Sequence, residues 1–159
     1  MIKNNWLAAA AVALCVAGAT TLPAQSAEEK AVLAVVNRVF EGMRKADSAL
    51  IRAQFATGAR FAMLDTRATP PKITYDSIDG WLTGVAQSAN RWDEQIYDVQ
   101  TRVDADIAQV WAPYTFYLDK KVRHCGVDMI DLLKSPTGWK ITQLSDSRRR
   151  EGCPDPLGK

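Results

Sequence analysis

His124 is the only histidine in the chain. A neutral imidazole is the usual general base near neutral pH, so chemistry is sought first around this residue. The Asp119-Lys120 turn folds the segment from Val122 to Leu133 back along the segment from Ile107 to Leu118. That hairpin sets His124 beside Phe116, with Tyr114 one alternate step away. A second turn at Ser135-Pro136-Thr137-Gly138 returns the chain from Trp139 to Arg149. In this last segment Trp139 and Ile141 share a face while Leu144 falls out of phase. A one-residue bulge near Thr142 or Gln143 restores the phase and carries Asp146 and Arg148 onto the His124 face. Tyr114, His124, Asp146 and Arg148 then make one polar patch. There Asp146 orients the imidazole as its acid/base partner, Tyr114 polarises a carbonyl, and Arg148 holds an anionic group. Two plainer readings stand beside this one: His124 as a hydrogen-bonded packing residue, and Asp146 and Arg148 as an ion pair with each other.

The remaining residue types narrow the chemistry. His124 and Cys125 are adjacent on a strand and point to opposite faces, and no third or fourth ligand follows at metal-site spacing, so no metal and no cofactor are expected. Trp81 and Trp139 sit on the apolar phase of their elements and read as core. Trp92 and Trp111 are left to stack on a flat ring, which makes a small apolar or aromatic ligand the fitting partner. Lys and Arg total 20 against 18 Asp and Glu, a net charge of +2. That balance lacks the dense cationic surface of a nucleic-acid binder, and Arg148-Arg149-Arg150 reads as a solvated strand end.

The elements that position these residues follow from periodicity. Val32, Val35, Val36, Val39, Phe40 and Met43 recur at helical spacing, and Asp47 caps a shorter helix carrying Leu50, Ile51 and Phe55 that Gly58 ends. Arg60 to Asp65 is strand-like, and Thr69-Pro70-Pro71-Lys72 breaks the chain into a loop. A third helix, capped by Asp76, carries Ile78, Trp81, Leu82 and Val85. Beyond Asn90 the period becomes two, with a first strand through Tyr97, Val99, Thr101 and Val103 ahead of the two hairpins. Pro113 cannot donate to a ladder and marks a bulge or an edge. The plan is α+β: a cone-shaped, curved antiparallel sheet with three helices from the N-terminal half packed on its concave face, and a pocket inside the cone.

Ahead of this domain, Lys3, the apolar run from Trp6 to Ala19 and the small residues of Ala24-Gln25-Ser26 read as an export signal. The apolar run is too short to span a membrane, and Leu14 before Cys15 argues against a lipid anchor. Cleavage is expected after Ser26 or Ala27, giving residues 1–27 as signal and 28–159 as one exported, periplasmic or secreted domain without a membrane anchor. Cys125 and Cys153, 28 residues apart, are then the two cysteines left in an oxidising compartment and are expected to form a disulfide.

With this order of elements, the stretches Val110-Trp111-Ala112-Pro113-Tyr114-Thr115-Phe116, His124-Cys125-Gly126-Val127, Gly138-Trp139-Lys140-Ile141 and Asp146-Ser147-Arg148-Arg149-Arg150-Glu151-Gly152-Cys153 resemble the nuclear transport factor two-like superfamily over roughly residues 29–151. The likeness is to its SnoaL-like, exported branch labelled lumazine-binding. The resemblance implies the cone fold of ketosteroid isomerases, scytalone dehydratase and polyketide cyclases. It invites a comparison of Asp65 with their acids, beside the plainer reading that Asp65 ends its strand and caps the next loop. Three functions follow as expectations. The first is an exported protein binding a small aromatic or polyketide-like ligand. The second is a cofactor-free isomerase, dehydratase or cyclase working through His124 and Asp146. The third is a homodimeric interaction module using the open sheet face.

Overall fold

The computed structural model describes residues 25–65 and 68–158, so the expected export signal, as far as residue 24, lies outside the described residues. Ser26 caps the helix Ala27–Lys45 (α1): its hydroxyl accepts from the Glu29 amide at 3.1 Å, and the Glu29 carboxylate accepts from the Ser26 amide at 2.6 Å. This reciprocal box satisfies two amides that the first turn leaves without partners. Val32, Val36, Val39, Phe40 and Met43 are buried along one stripe of α1, as their spacing predicts. Asp47 accepts from the Leu50 amide at 2.9 Å and caps the short helix Ser48–Arg52 (α2).

The strand Phe55–Asp65 (β1) starts earlier than its composition indicated, and Phe55 belongs to it rather than to α2. Gly58, at φ 79°, sits inside β1 where its register against the last strand shifts between Phe55 and Arg60. A left-handed backbone at such an irregularity favours glycine. Lys72–Ser77 is a strand (β2), with Ile73 and Tyr75 alternating with Thr74 and Asp76 at period two; the expected Thr69–Lys72 loop ends at its first residue, and no strand was expected between there and Asp76. The helix Ile78–Gln87 (α3) is therefore capped by Ser77, one residue beyond the expected Asp76. The expected strand through Tyr97 is two strands, Trp92–Ile96 (β3) and Gln100–Asp104 (β4), separated where Asp98 takes φ 48°. Ile107–Leu118 (β5), Lys121–Ser135 (β6) and Gly138–Asp146 (β7) complete the sheet.

Among the described residues the seven strands run in the order β2-β1-β7-β6-β5-β3, with β4 beside β3 along β5. All pairs are antiparallel except β1 with β7, which is parallel. These two strands are joined by nearly the whole sheet instead of a hairpin, so no tight turn dictates their direction. Helix α1 packs on β3, β4 and β7, α3 on β1 and β2, and α2 between the other helices. The inferred bulge is present: Asp131 pairs Gln143 and Leu132 pairs Ile141, leaving Thr142 as the extra residue. At Pro113 the β5–β6 register is continuous, and the irregularity of this pair lies between Phe116 and Tyr117, with Arg123 the extra residue. The Pro113 carbonyl accepts from the Tyr97 amide at 3.0 Å. The missing proline donor thus faces the interruption between β3 and β4, where the ladder needs none.

Cys125 and Cys153 are bonded, with Cα atoms 5.5 Å apart. The disulfide holds the C-terminal segment against the sheet, where Thr115 donates to the Pro154 carbonyl at 2.8 Å and the Tyr117 hydroxyl meets Asp155 at 2.6 Å. No helix among the described residues is long and apolar enough to cross a membrane.

Candidate functional site

The strand register lays side chains across the sheet in rows, because residues directly opposite one another point to the same face. One row runs Thr74, Met63, Asp146, Asp128 and Ala112 from β2 to β5, and the neighbouring row runs Asp76, Phe61, Leu144, Ile130 and Val110. Towards the β5–β6 turn, Glu94, Phe116 and His124 make another row. These rows face the helices and enclose a cavity of about 1040 Å³. Val39, Phe40 and Met43 of α1 and Trp81 of α3 contribute apolar wall opposite the sheet. Phe61 and Trp81 meet edge to face at 4.9 Å, and Trp92 meets Phe116 at 5.6 Å.

Of the carboxyls that line this space, Asp76 and Glu151 are exposed, while Glu94, Asp128 and Asp146 are partly or fully buried. Glu94 and Asp128 hydrogen-bond to each other, and Asp146 lies beside Asp128 on the adjacent strand. Asp128 is 3% exposed. Its Oδ2 and the Oδ1 of Asp146 find no donor among the described residues. Burial pushes the Glu94 carboxyl up to about 7, and the charge of Asp146 adds to the rise while the hydrogen bond from Asp128 opposes it. Burial, then the negative charge of Glu94, lifts Asp128 well above the usual carboxylate range. Two acids sharing a desolvated site cannot both ionise readily, so the pair retains a proton at neutral pH. Burial also raises Asp146, against the pull of Arg148, whose Nε donates to Asp146 Oδ2 at 2.6 Å.

His124 and Asp146 both line the cavity. The imidazole stacks on Phe116 at 4.8 Å and meets the Tyr114 ring edge to face at 5.7 Å. Burial, with the guanidiniums of Arg148, Arg123 and Arg150 adding to it, lowers His124 to about 4, so the ring is neutral near pH 7. Asp146 has Arg148 as its ion-pair partner. Tyr114 is 1% exposed and its hydroxyl donates to the Ser147 carbonyl at 3.0 Å, below the cavity surface. Burial, aided by Asp146, raises its phenol. Trp92 lines the cavity. Trp111 is 46% exposed and alternates with the buried Val110 and Ala112, so strand parity turns it outward. Asp65 ends β1 opposite Lys72. Among the described residues, no cluster of His, Cys, Asp and Glu could hold a metal ion.

Glu94 and Asp128 did not emerge from the sequence reading, although each carries a signal. Glu94 shares the strand phase of Trp92 and Ile96, and Asp128 shares that of Gly126, Ile130 and Leu132. An acid on the apolar phase of a strand is either paired or functional. The approach of β6 to the segment after β7 also has one strict requirement. A Cβ built on Gly126 would stand 1.8 Å from the Ser147 carbonyl oxygen, so only glycine lets the Asp146–Arg149 segment lie here.

No protein-family model matches the chain, and no curated protein does. Solved structures do. A protein of unknown function from Shewanella baltica, described as nuclear transport factor two-like, is 20% identical over 78% of this chain and 95% of its own, with a TM-score of 0.61. A protein from Novosphingobium aromaticivorans, described as nuclear transport factor two-like with a cystatin-like fold, is 8% identical over 79% of this chain and 84% of its own, with a TM-score of 0.64. A candidate dehydratase of the same family from Streptomyces avermitilis is 14% identical over 76% of this chain and 95% of its own, with a TM-score of 0.59.

Proposed function

We propose that this chain, built on the nuclear transport factor two-like fold, binds a small apolar or aromatic ligand inside its cone. The carrying observation is the cavity of about 1040 Å³, with an apolar wall and polar groups converging on it. The ligand body lies among Phe40, Trp81 and Trp92, and a hydroxyl or carbonyl meets the Glu94–Asp128 pair. The neutral fluorophore N-phenylnaphthylamine tests this. Wild type takes it up with enhanced fluorescence. Met63→Trp combined with Thr74→Trp fills the cavity from a cross-strand register pair and abolishes the uptake. Equal uptake by both proteins sinks the reading.

A second reading has its own observation. A carboxyl pair that retains a proton near pH 7 can take a proton from one ligand atom and return one to another, which is the core of isomerisation, dehydration and cyclisation. Its mark is deuterium incorporation from heavy water into a bound carbonyl compound, lost in Glu94→Gln. The pairing of His124 with Asp146 is a rival assignment for the same chemistry. It requires His124→Phe to remove the exchange while Glu94→Gln leaves it. Export of the mature domain and a homodimer through the outer sheet face remain proposals too. The first accords with the disulfide. The second accords with Ile73, Tyr75 and Trp111, which expose apolar surface.

A further inference from the structure

The cavity lining carries charges of both signs. Glu94, Asp128 and Asp146 lie on the sheet side, while Arg123, Arg148 and Arg150 line it near His124. Arg148 is engaged by Asp146. Arg123 and Arg150 are exposed, and neither has a carboxylate partner among the described residues. Glu151 is the one acid beside them on the lining and pairs with neither. Their backbone is held. Arg123 is the extra residue of the β6 irregularity. Arg150 follows Arg149, which exchanges two backbone hydrogen bonds with Cys125, at 2.8 and 3.0 Å. The Cys125–Cys153 disulfide then closes the same loop. Arg148, Arg149 and Arg150 all line the cavity, and the bridge from Arg149 to Cys125 fixes where this segment runs.

Resting on the small-ligand reading above, we propose that Arg123 and Arg150 form an anion-recognition rim, and that the ligand class is an organic anion with an apolar ring body. Its carboxylate, sulfonate or phosphate group sits at the rim, and its body runs inward. The opposite orientation would put an anion against three carboxyls, a like-charge contact that repels it. Guanidiniums suit this task because their planar donors meet anionic oxygens in pairs. Burial and then Arg148 lower the His124 imidazole most, and Arg123 and Arg150 add to that lowering, in keeping with their place beside it.

Two probes with one ring skeleton make the test: anilinonaphthalene sulfonate, which carries the anion, and neutral N-phenylnaphthylamine. Fluorescence titrations compare wild type with the Arg123→Gln, Arg150→Gln double variant. One charge-assisted contact corresponds to about a tenfold affinity difference, so wild type binds the sulfonate about tenfold tighter or better. The double variant loses that advantage and holds the neutral probe as wild type does, which also shows that its cavity is intact. Equal wild-type affinity for the two probes, or an unchanged preference in the double variant, overturns the rim while leaving the cavity reading in place. Binding of neither probe to wild type overturns both.

Discussion

Glu94→Gln removes one carboxyl from the buried pair while keeping its shape, and it should stabilise the protein more as the pH rises. In wild type the carboxyl is half-ionised at about 7 instead of the usual 4.5. The native state therefore binds more protons than the unfolded chain between those values. The stability this contributes is fully present below the lower value and is lost as pH climbs through the upper one. At about 1.4 kcal/mol per tenfold change in proton affinity, the loss is about 3 kcal/mol. His124 works in the opposite sense, because its native value falls from 6.5 to about 4. Its contribution is lost as pH falls through that window, so wild-type stability alone shows a muted slope. The difference between variant and wild type isolates Glu94 and its coupling to Asp128. Urea denaturation of both proteins at about pH 5 and about pH 8 should show the variant's advantage growing by about 2.5 kcal/mol across that interval, since part of the loss is already present at pH 5. A constant difference, or one that shrinks towards pH 8, would refute the shared-proton reasoning.

Reduction of the Cys125–Cys153 bond should lower the melting temperature, since the chain-entropy model assigns a loop of 28 residues about 3–4 kcal/mol; calorimetry with and without a reductant checks it. Gly126→Ala should displace the segment from Asp146 to Arg149, because the added methyl meets the Ser147 carbonyl. Loss of cooperative unfolding or a changed chemical shift for His124 in that variant is the expected signal, and an unperturbed protein is the contrary one. Sequencing the exported protein should place its N-terminus at Ala27 or Glu28, and an exported chain beginning at Met1 rules out the signal.

Most of the frame was legible because apolar phase dictates which face of a helix or strand is buried. The single slip between Ile141 and Leu144 was enough to expect a bulge near Thr142 or Gln143; the structure has it at Thr142, which puts Asp146 in one row with Asp128. The turn at Asp119-Lys120, where both residues take positive φ, placed Phe116 opposite His124. What was not legible depended on long-range pairing. The edge strand β2 is short and largely exposed, and its partner β1 precedes it by a loop with prolines. Reading one strand through Tyr97 hid β3, and with it Glu94. The convergence of Glu94 on Asp128 needs β5 between them, because β3 and β6 pair with opposite edges of that strand. No local pattern encodes this meeting. Tyr114 shows the converse: its strand phase is evident, but its hydroxyl bonds to Ser147, 33 residues away.

The central claim is that the cone holds a small organic molecule between an arginine rim and a carboxyl pair. Native mass spectrometry of the protein purified without denaturation from its own host tests it most directly. One small molecule per chain is expected, apolar-bodied and acidic, released on denaturation and absent from the Met63→Trp, Thr74→Trp variant. A wild-type protein that carries no such molecule and takes up neither fluorescent probe would contradict it.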